Sequence, residues 1–313
     1  MPAVASHRAL MNSAEHSSTN ERMIALLTEL AQGVGFSPSR LPGVRFMRAV
    51  RHVPRTPIVY EPSIVIIARG RKIGYLGGRR FVYDPNHFLV LSVPLPFECE
   101  TFGTPEEPLL GVKIGVTPAL VTELLLSMQS TPPIYALDSE TIQAAPLDST
   151  LAGAAVRLLE SLRSDDEARI LGPQIVREII YRVLLGELGG TLRALAAPNS
   201  AFGQISRALH RIHAEFAHAF DVPTLAREVG MSVSTFHERF KAITSSSPLQ
   251  YVKSIRLHRA RLLMAHDGVS ASEAAIQVGY ESPSQFNREF KRLFGDTPAA
   301  VAQNLRATLT RLA

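Results

Sequence analysis

Between residues 43 and 116 the chain reads as short apolar runs broken by Gly, Pro and Asn; beyond 117 the apolar residues recur at helical spacing. The first texture predicts an antiparallel sandwich or barrel. Ser63–Ala68 is apolar at every position after its serine, as a strand buried on both faces is. Arg71–Leu76 and Arg79–Tyr83 flank Gly77-Gly78, a dipeptide suited to the positive φ angles of a tight hairpin. His87–Val93, Phe97–Thr101 and Leu110–Val116 complete the expected strands. A helix is expected over 21–32. Another opens at the Thr117-Pro118 cap and runs to Met128, followed by a Pro-containing connection over 131–147. Further helices are expected at 148–164, 173–188 and 202–219, with no strand after 148. The fold class is therefore α+β. Residues 1–20 form a flexible arm, 21–147 a sandwich with a sensory or regulatory role, 148–200 a helical linker or dimerisation segment, and 201–313 an all-helical domain.

An internal repeat carries most of the information. Leu225–Lys241 and Ala274–Lys291 each hold a small residue in a first helix, a glycine turn, a serine, and a second helix with phenylalanines four apart. Alanine lets two helices cross closely and glycine permits the tight turn, which is the recipe for a helix-turn-helix. The pairs Phe236/Phe240 and Phe286/Phe290 share one face each, leaving the other free for a major groove. Ser247–Gln250, Ser270–Glu273 and Ser282–Gln285 all have capping-box spacing. Between the copies a helix is expected from Pro248 to His266, a rod of roughly 27 Å. Such a rod can hold two recognition helices near the ~34 Å repeat of DNA.

Charge supports this reading. Residues 201–313 carry 14 Lys and Arg against 9 Asp and Glu, whereas residues 1–200 are balanced. A basic module on a neutral body fits a polyanion partner. At 46% hydrophobic and 19% charged residues, the composition excludes a mostly disordered chain. The single cysteine, Cys99, fits a reducing compartment, and with no signal or membrane segment in the sequence a cytoplasmic protein is expected.

The segment 205–306 resembles the DNA-binding domain of AraC/XylS bacterial transcriptional regulators. The resemblance runs through Val229–Ser232, Pro248–Tyr251, Arg256-Leu257, Ala260–Leu263, Val278–Ser282, Gln285–Lys291, Phe294-Gly295 and Pro298. In the front half, Tyr60–Ser63, Gly70–Lys72, Leu95-Pro96 and Pro105–Pro108 resemble the cupin-like N-terminal domain of one AraC-type subfamily. The resemblance implies promoter DNA as partner, RNA polymerase as a second partner if the protein activates, a small-molecule effector in the sandwich, and possible homodimers.

Exposed positions early in each recognition helix should reach base edges: Ser234, Thr235, His237 and Glu238 in the first, Ser284, Gln285, Asn287 and Arg288 in the second. The resemblance places base contacts at the same positions, Thr235 excepted. Arg288 suits guanine, and Asn287 or Gln285 adenine. Glu238 could accept from a cytosine amino group, repel phosphate, or pair with Arg239 or Lys241. Gln285 has a competing role as partner of the Ser282 cap. Ser232, Ser282, Lys241, Lys291 and Arg292 are phosphate candidates. Arg256 is another, with a buried carboxylate as its alternative partner.

An enzyme is not expected. A metal cupin presents an H-x-H pair, and the sandwich has only His52 and His87. No metal and no cofactor are called for. Two alternatives stand beside the regulator: a front domain that only dimerises, and a cupin metalloenzyme fused to a DNA-binding tail. Cys99 is a candidate sensor, although a small buried hydrophobe explains it as well and its flanking glutamates oppose a thiolate.

Overall fold

The computed structural model describes residues 17–128, 141–197 and 200–310. Most of the expected 1–20 arm lies outside them, and residues 17–20 begin helix α1 (17–30). Among the described residues ten strands follow: β1 (Gly35–Pro38), β2 (Val44–Ala49), β3 (Val53–Tyr60), β4 (Ser63–Arg69), β5 (Arg71–Leu76), β6 (Arg79–Tyr83), β7 (His87–Leu91), β8 (Leu95–Phe102), β9 (Leu109–Gly115) and, after α2 (Pro118–Ser127), β10 (Ile142–Pro146). They form two antiparallel sheets, one ordered β1-β2-β9-β4-β7-β10 and the other β3-β8-β5-β6. The N-terminal half is thus the expected sandwich.

Strand β4 is buried on both faces for a clear reason. Ile64, Ile66 and Ala68 meet Met23, Leu26 and Leu27 of α1 and the apolar stripes of α3 (Ser149–Ser161) and α5 (Gly172–Leu185). Val65 and Ile67 face the opposite sheet. The helices within 148–200, including α4 (Asp165–Ile170) and α6 (Gly189–Arg193), therefore build a layer over the first sheet.

Four strands escape the sequence reading. β3 carries Pro54 and Pro57, which only an edge strand tolerates, and it is an edge of its sheet. β2 reads Val-Arg-Phe-Met-Arg-Ala, its apolar run interrupted by arginines. β1 is four residues long. β10 lies in the stretch expected as a connection; its Ile-Gln-Ala-Ala-Pro sequence has little strand propensity, and pairing with β7 from Ile142↔Leu91 to Pro146↔His87 imposes the extended form.

The C-terminal half is all helical: α7 (Ala201–Ala214), α8 (Val222–Glu228), α9 (Val233–Thr244), α10 (Pro248–Leu262), α11 (Ala271–Gln277), α12 (Pro283–Phe294) and α13 (Pro298–Thr310). The regular helix α10 stops at Leu262 rather than His266, and a π-helical turn continues it to Asp267.

Candidate nucleic-acid interface and the interior beneath it

Each half of the repeat builds the same motif from local signals. Asp221 caps α8 by accepting from the Thr224 amide at 3.0 Å, and Ser232 caps α9 by accepting from the Thr235 amide at 3.2 Å. In the second copy Ser270 and Glu273 close a reciprocal capping box on α11 at 3.2 and 2.8 Å, and Ser282 caps α12 at 3.3 Å. The turns hold Gly230 at φ +74° and Gly279 at φ +84°, the left-handed region that costs glycine nothing. Gly279 is required twice over, since a Cβ there would lie 2.2 Å from the Ala217 carbonyl oxygen. Phe236, Phe240, Phe286 and Phe290 are fully buried.

The opposite faces of α9 and α12 are open. Ser234, Thr235, His237, Glu238 and Lys241 are exposed on the first, and Ser284, Asn287, Arg288, Lys291 and Arg292 on the second. Gln285 is half-buried; its amide nitrogen donates to Glu289 at 3.2 Å, and its oxygen does not accept from the Ser282 amide to close a capping box. Glu289 in turn accepts from Lys253 and from the Tyr280 hydroxyl, both at 2.7 Å, so Gln285 belongs to a polar knot that seats α12. Arg256 makes no ion pair with a carboxylate among the described residues. Its guanidinium donates to three main-chain carbonyls, of Phe216, Gly279 and His218, at 2.8, 2.8 and 2.7 Å. It ties the segment after α7 to the turn of the second motif. Ser232 and Ser282 serve as caps, and the Ser232 hydroxyl also shares a 2.8 Å hydrogen bond with that of Thr235.

The two motifs sit differently on the body. The second has its own core of Leu257, Ala260, Met264, Ala274, Ala275, Val278, Tyr280, Phe286 and Phe290. The first shares one continuous core with the space between the sheets, through α7 and Tyr251. The Tyr251 hydroxyl donates to the Pro94 carbonyl at 2.6 Å and so accepts from His213 Nε2 at 2.8 Å. The β5–β6 hairpin tip at Gly77 abuts Ser245, where α9 ends.

Strand register explains what lines the sandwich interior. Lys72 on β5 stands opposite Tyr83 on β6 and Thr101 on β8, and Gly74 stands opposite Phe81 and Cys99. Gly74 has no Cβ, and the Phe81 ring fills the space a Cβ would take. Cys99 is buried, with its sulfur 3.3 Å from the Tyr83 hydroxyl. Its neighbours Glu98 and Glu100 point to the other face, where they pair with Arg55 and with His52 and Tyr75. The glutamates expected to flank the thiol therefore do not face it; Lys72, Tyr60 and Tyr83 do. His52 pairs with Glu100 and His87 with Asp84, each at 2.9 Å. Among the described residues no three His, Cys, Asp or Glu side chains converge as a metal site would need.

Burial pushes the Lys113 amine down to about 8, against the pull of Glu61. The charged form thus costs stability below pH 8, and the cost fades as pH rises toward the ordinary lysine value, where the unfolded chain also loses its proton. Lys113→Met is expected to raise the melting temperature by a few degrees at pH 7 and by clearly less at pH 10. Calorimetry of both proteins at the two pH values checks this.

Two motifs with buried phenylalanines and open polar faces, held by a common helix beside a sandwich, define a class: helix-turn-helix regulators with an appended N-terminal domain. A model of the AraC-type transcriptional regulator N-terminus matches residues 40–191, and a helix-turn-helix domain model matches 225–304. The chain belongs to the AraC family of transcriptional regulators. It is similar to the transcriptional activator RhaS of Escherichia fergusonii, 27% identical over 133 residues, which are 42% of this chain and 48% of RhaS. The chain spans about half or less of the length of the curated relatives it matches. In fold it is similar to an apo variant of ToxT from Vibrio cholerae (TM-score 0.58, 13% identity, 83% of this chain and 97% of ToxT). It is also similar to wild-type ToxT bound to an unsaturated fatty acid (TM-score 0.56, 11% identity, 82% and 94%). No described helix is long and apolar enough to cross a membrane.

Proposed function

We propose that this chain is a sequence-specific DNA-binding transcriptional regulator whose α9 and α12 enter successive major grooves of promoter DNA. The duplicated motif carries the proposal: both recognition helices bury their phenylalanines and turn a polar face outward. The 15-residue α10 between them spans about 22 Å. Base reading falls to Ser234, Thr235, His237 and Glu238 on α9, and to Ser284, Asn287 and Arg288 on α12. Gln285 joins them only if it leaves Glu289. Lys241, Lys291 and Arg292 contact phosphate, and the Ser232 and Ser282 hydroxyls, already caps, can add to this. A small molecule held between the sheets controls the reading. The unbroken core from sandwich to first motif supports that control, as does a ToxT of like fold with bound fatty acid.

Arg288→Ala is expected to cost roughly 1–3 kcal/mol on the specific site, a five- to 150-fold loss, with much less on random DNA. Fluorescence anisotropy of the full chain on DNA from immediately upstream of its own gene, with random DNA as competitor, tests it. Equal weakening on both DNAs would make Arg288 a phosphate contact, and binding that vanishes with competitor would leave only the nonspecific electrostatic term.

A further inference from the structure

A hairpin of the sandwich touches the open face of the first motif. Strands β5 and β6 pair up to Leu76↔Arg79 and close through Gly77 and Gly78, at φ +57° and +80°. Two positive φ angles between directly paired strands make a tight two-residue turn. That turn reaches α9: a Cβ on Gly77 would stand 2.7 Å from the Ser245 Oγ. Ser245 ends α9, its amide donating to the Lys241 carbonyl at 2.8 Å. Its position matters. Residues 234, 238, 241 and 245 follow one stripe along a helix, and Ser234, Glu238 and Lys241 belong to the polar face that α9 turns outward. The hairpin is therefore seated on the C-terminal end of the stripe assigned to DNA.

The hairpin brings a cation with it. Arg80, two residues past the turn, is exposed and makes no ion pair within the described residues. It stands opposite Tyr75, so the two side chains share the outer face of the second sheet. The acids of that face are already engaged. Glu98 holds Arg55, which also lies 4.2 Å over the Tyr75 ring, and Glu100 accepts from the Tyr75 hydroxyl and pairs with His52. Arg79 already has a partner. Arg71 shares the face, exposed and 4.6 Å over the Phe102 ring. It lies four residues before Tyr75, about 13 Å further from the turn. Arg80 is thus the cation that this face can spare close to α9.

We propose that the β5–β6 hairpin is a DNA contact of the sandwich itself, with the Arg80 guanidinium taking a backbone phosphate beside the major groove that α9 enters. The major groove is about 12 Å wide and a helix with its side chains about 10–12 Å across, so a helix lying there has a phosphate wall on either side. A tight tip fixed to the end of the helix's open stripe is carried against one of those walls. A planar guanidinium with free donors suits a phosphate there. The inference rests on the regulator reading and extends it, because the arginine comes from the sandwich and the groove helix from the other half. The contact exists only while the two halves stay docked, so whatever shifts the sandwich on the first motif also changes the grip on DNA.

The test is anisotropy titration of the full-length protein on DNA from upstream of its own gene, at three salt concentrations. Arg80→Ala is expected to lower the slope of log affinity against log salt by about one, so that its deficit shrinks about 3.5-fold between 50 and 200 mM salt. Arg80→Lys should keep the slope. Arg71→Ala, which removes the same charge further from the turn, should also keep it. All three should melt like the parent, since both arginines are exposed. A second readout fixes the place. With Arg80→Cys carrying an iron–EDTA group, radical cleavage should fall in one short cluster of backbone positions at the protected site. Cys99, the chain's other thiol in that variant, is buried and leaves position 80 as the reagent's target. An unchanged slope for Arg80→Ala, as an acidic protein partner would give, overturns the proposal. So does tighter binding by that variant, which would make the hairpin an obstacle to DNA, an equal loss of slope from Arg71→Ala, or cleavage that is absent or scattered. A parent that binds its specific DNA while Arg80→Ala binds identically keeps the regulator reading and loses this inference. A parent with no specific binding loses both.

Discussion

Phe240→Ala is expected to cost about 3–5 kcal/mol and to loosen the sandwich along with the first motif. Phe240 is fully buried, 5.4 Å from the ring of Phe236 and 5.4 Å from that of Tyr251, which it meets edge-on. Truncating it opens a cavity directly beneath Tyr251, the residue whose hydroxyl holds the Pro94 carbonyl of the sandwich. Since the core runs unbroken from Phe240 through Tyr251 and α7 to Leu95 and Val93, the loss cannot stay local. Phe290→Ala should cost as much but report differently, because Phe290 packs on Phe286 and Phe294 inside a core of its own. Differential scanning calorimetry separates the two. Phe240→Ala should move the transition that reports the sandwich, and Phe290→Ala should leave it in place. A sandwich transition unmoved by Phe240→Ala would mean that the docking seen in the structure carries no energy.

That asymmetry between the motifs was not legible in the sequence, where the two copies read alike. Periodicity reports which face of α9 or α12 is apolar, and the buried phenylalanines agree with it; it does not report what lies against that face. The same limit explains the site residues. Exposure of Ser234, His237, Asn287 and Arg288 follows from spacing alone. Gln285 shares that spacing, yet Glu289 one turn on claims its amide. The hairpin at Gly77-Gly78 and the doubly buried β4 were readable because composition dictates them locally. β3 and β10 were not, because their prolines and alanines are extended only by virtue of neighbours far along the chain. Lys72 appeared in the sequence merely as part of a matching Gly-Arg-Lys triplet. Strand alternation from the hairpin would have pointed it to the same face as Gly74, the one signal that could have flagged a lysine directed inward.

Arg256→Ala is expected to weaken binding to every DNA sequence while leaving the salt dependence of binding intact. The guanidinium spends three donors on carbonyls of Phe216, His218 and Gly279, and each is a charge-assisted bond. Removing it leaves those carbonyls to find new partners and should cost about 3 kcal/mol of stability, most of it in the seating of the second motif. The Gly279 turn would no longer be held against the segment after α7, so α12 would lose its fixed angle to α9. Specific affinity should fall because the two helices no longer reach two grooves together, not because a positive charge has left the phosphate backbone. A phosphate contact behaves otherwise. Lys291→Ala should keep the melting temperature and lower the slope of log affinity against log salt by about one, the release of one counterion fewer. Titrations of both variants at three salt concentrations, beside their melting curves, distinguish the cases. If Arg256→Ala melts like the parent and loses a unit of slope, its three carbonyl bonds do not persist on DNA and the arginine turns to phosphate when the complex forms.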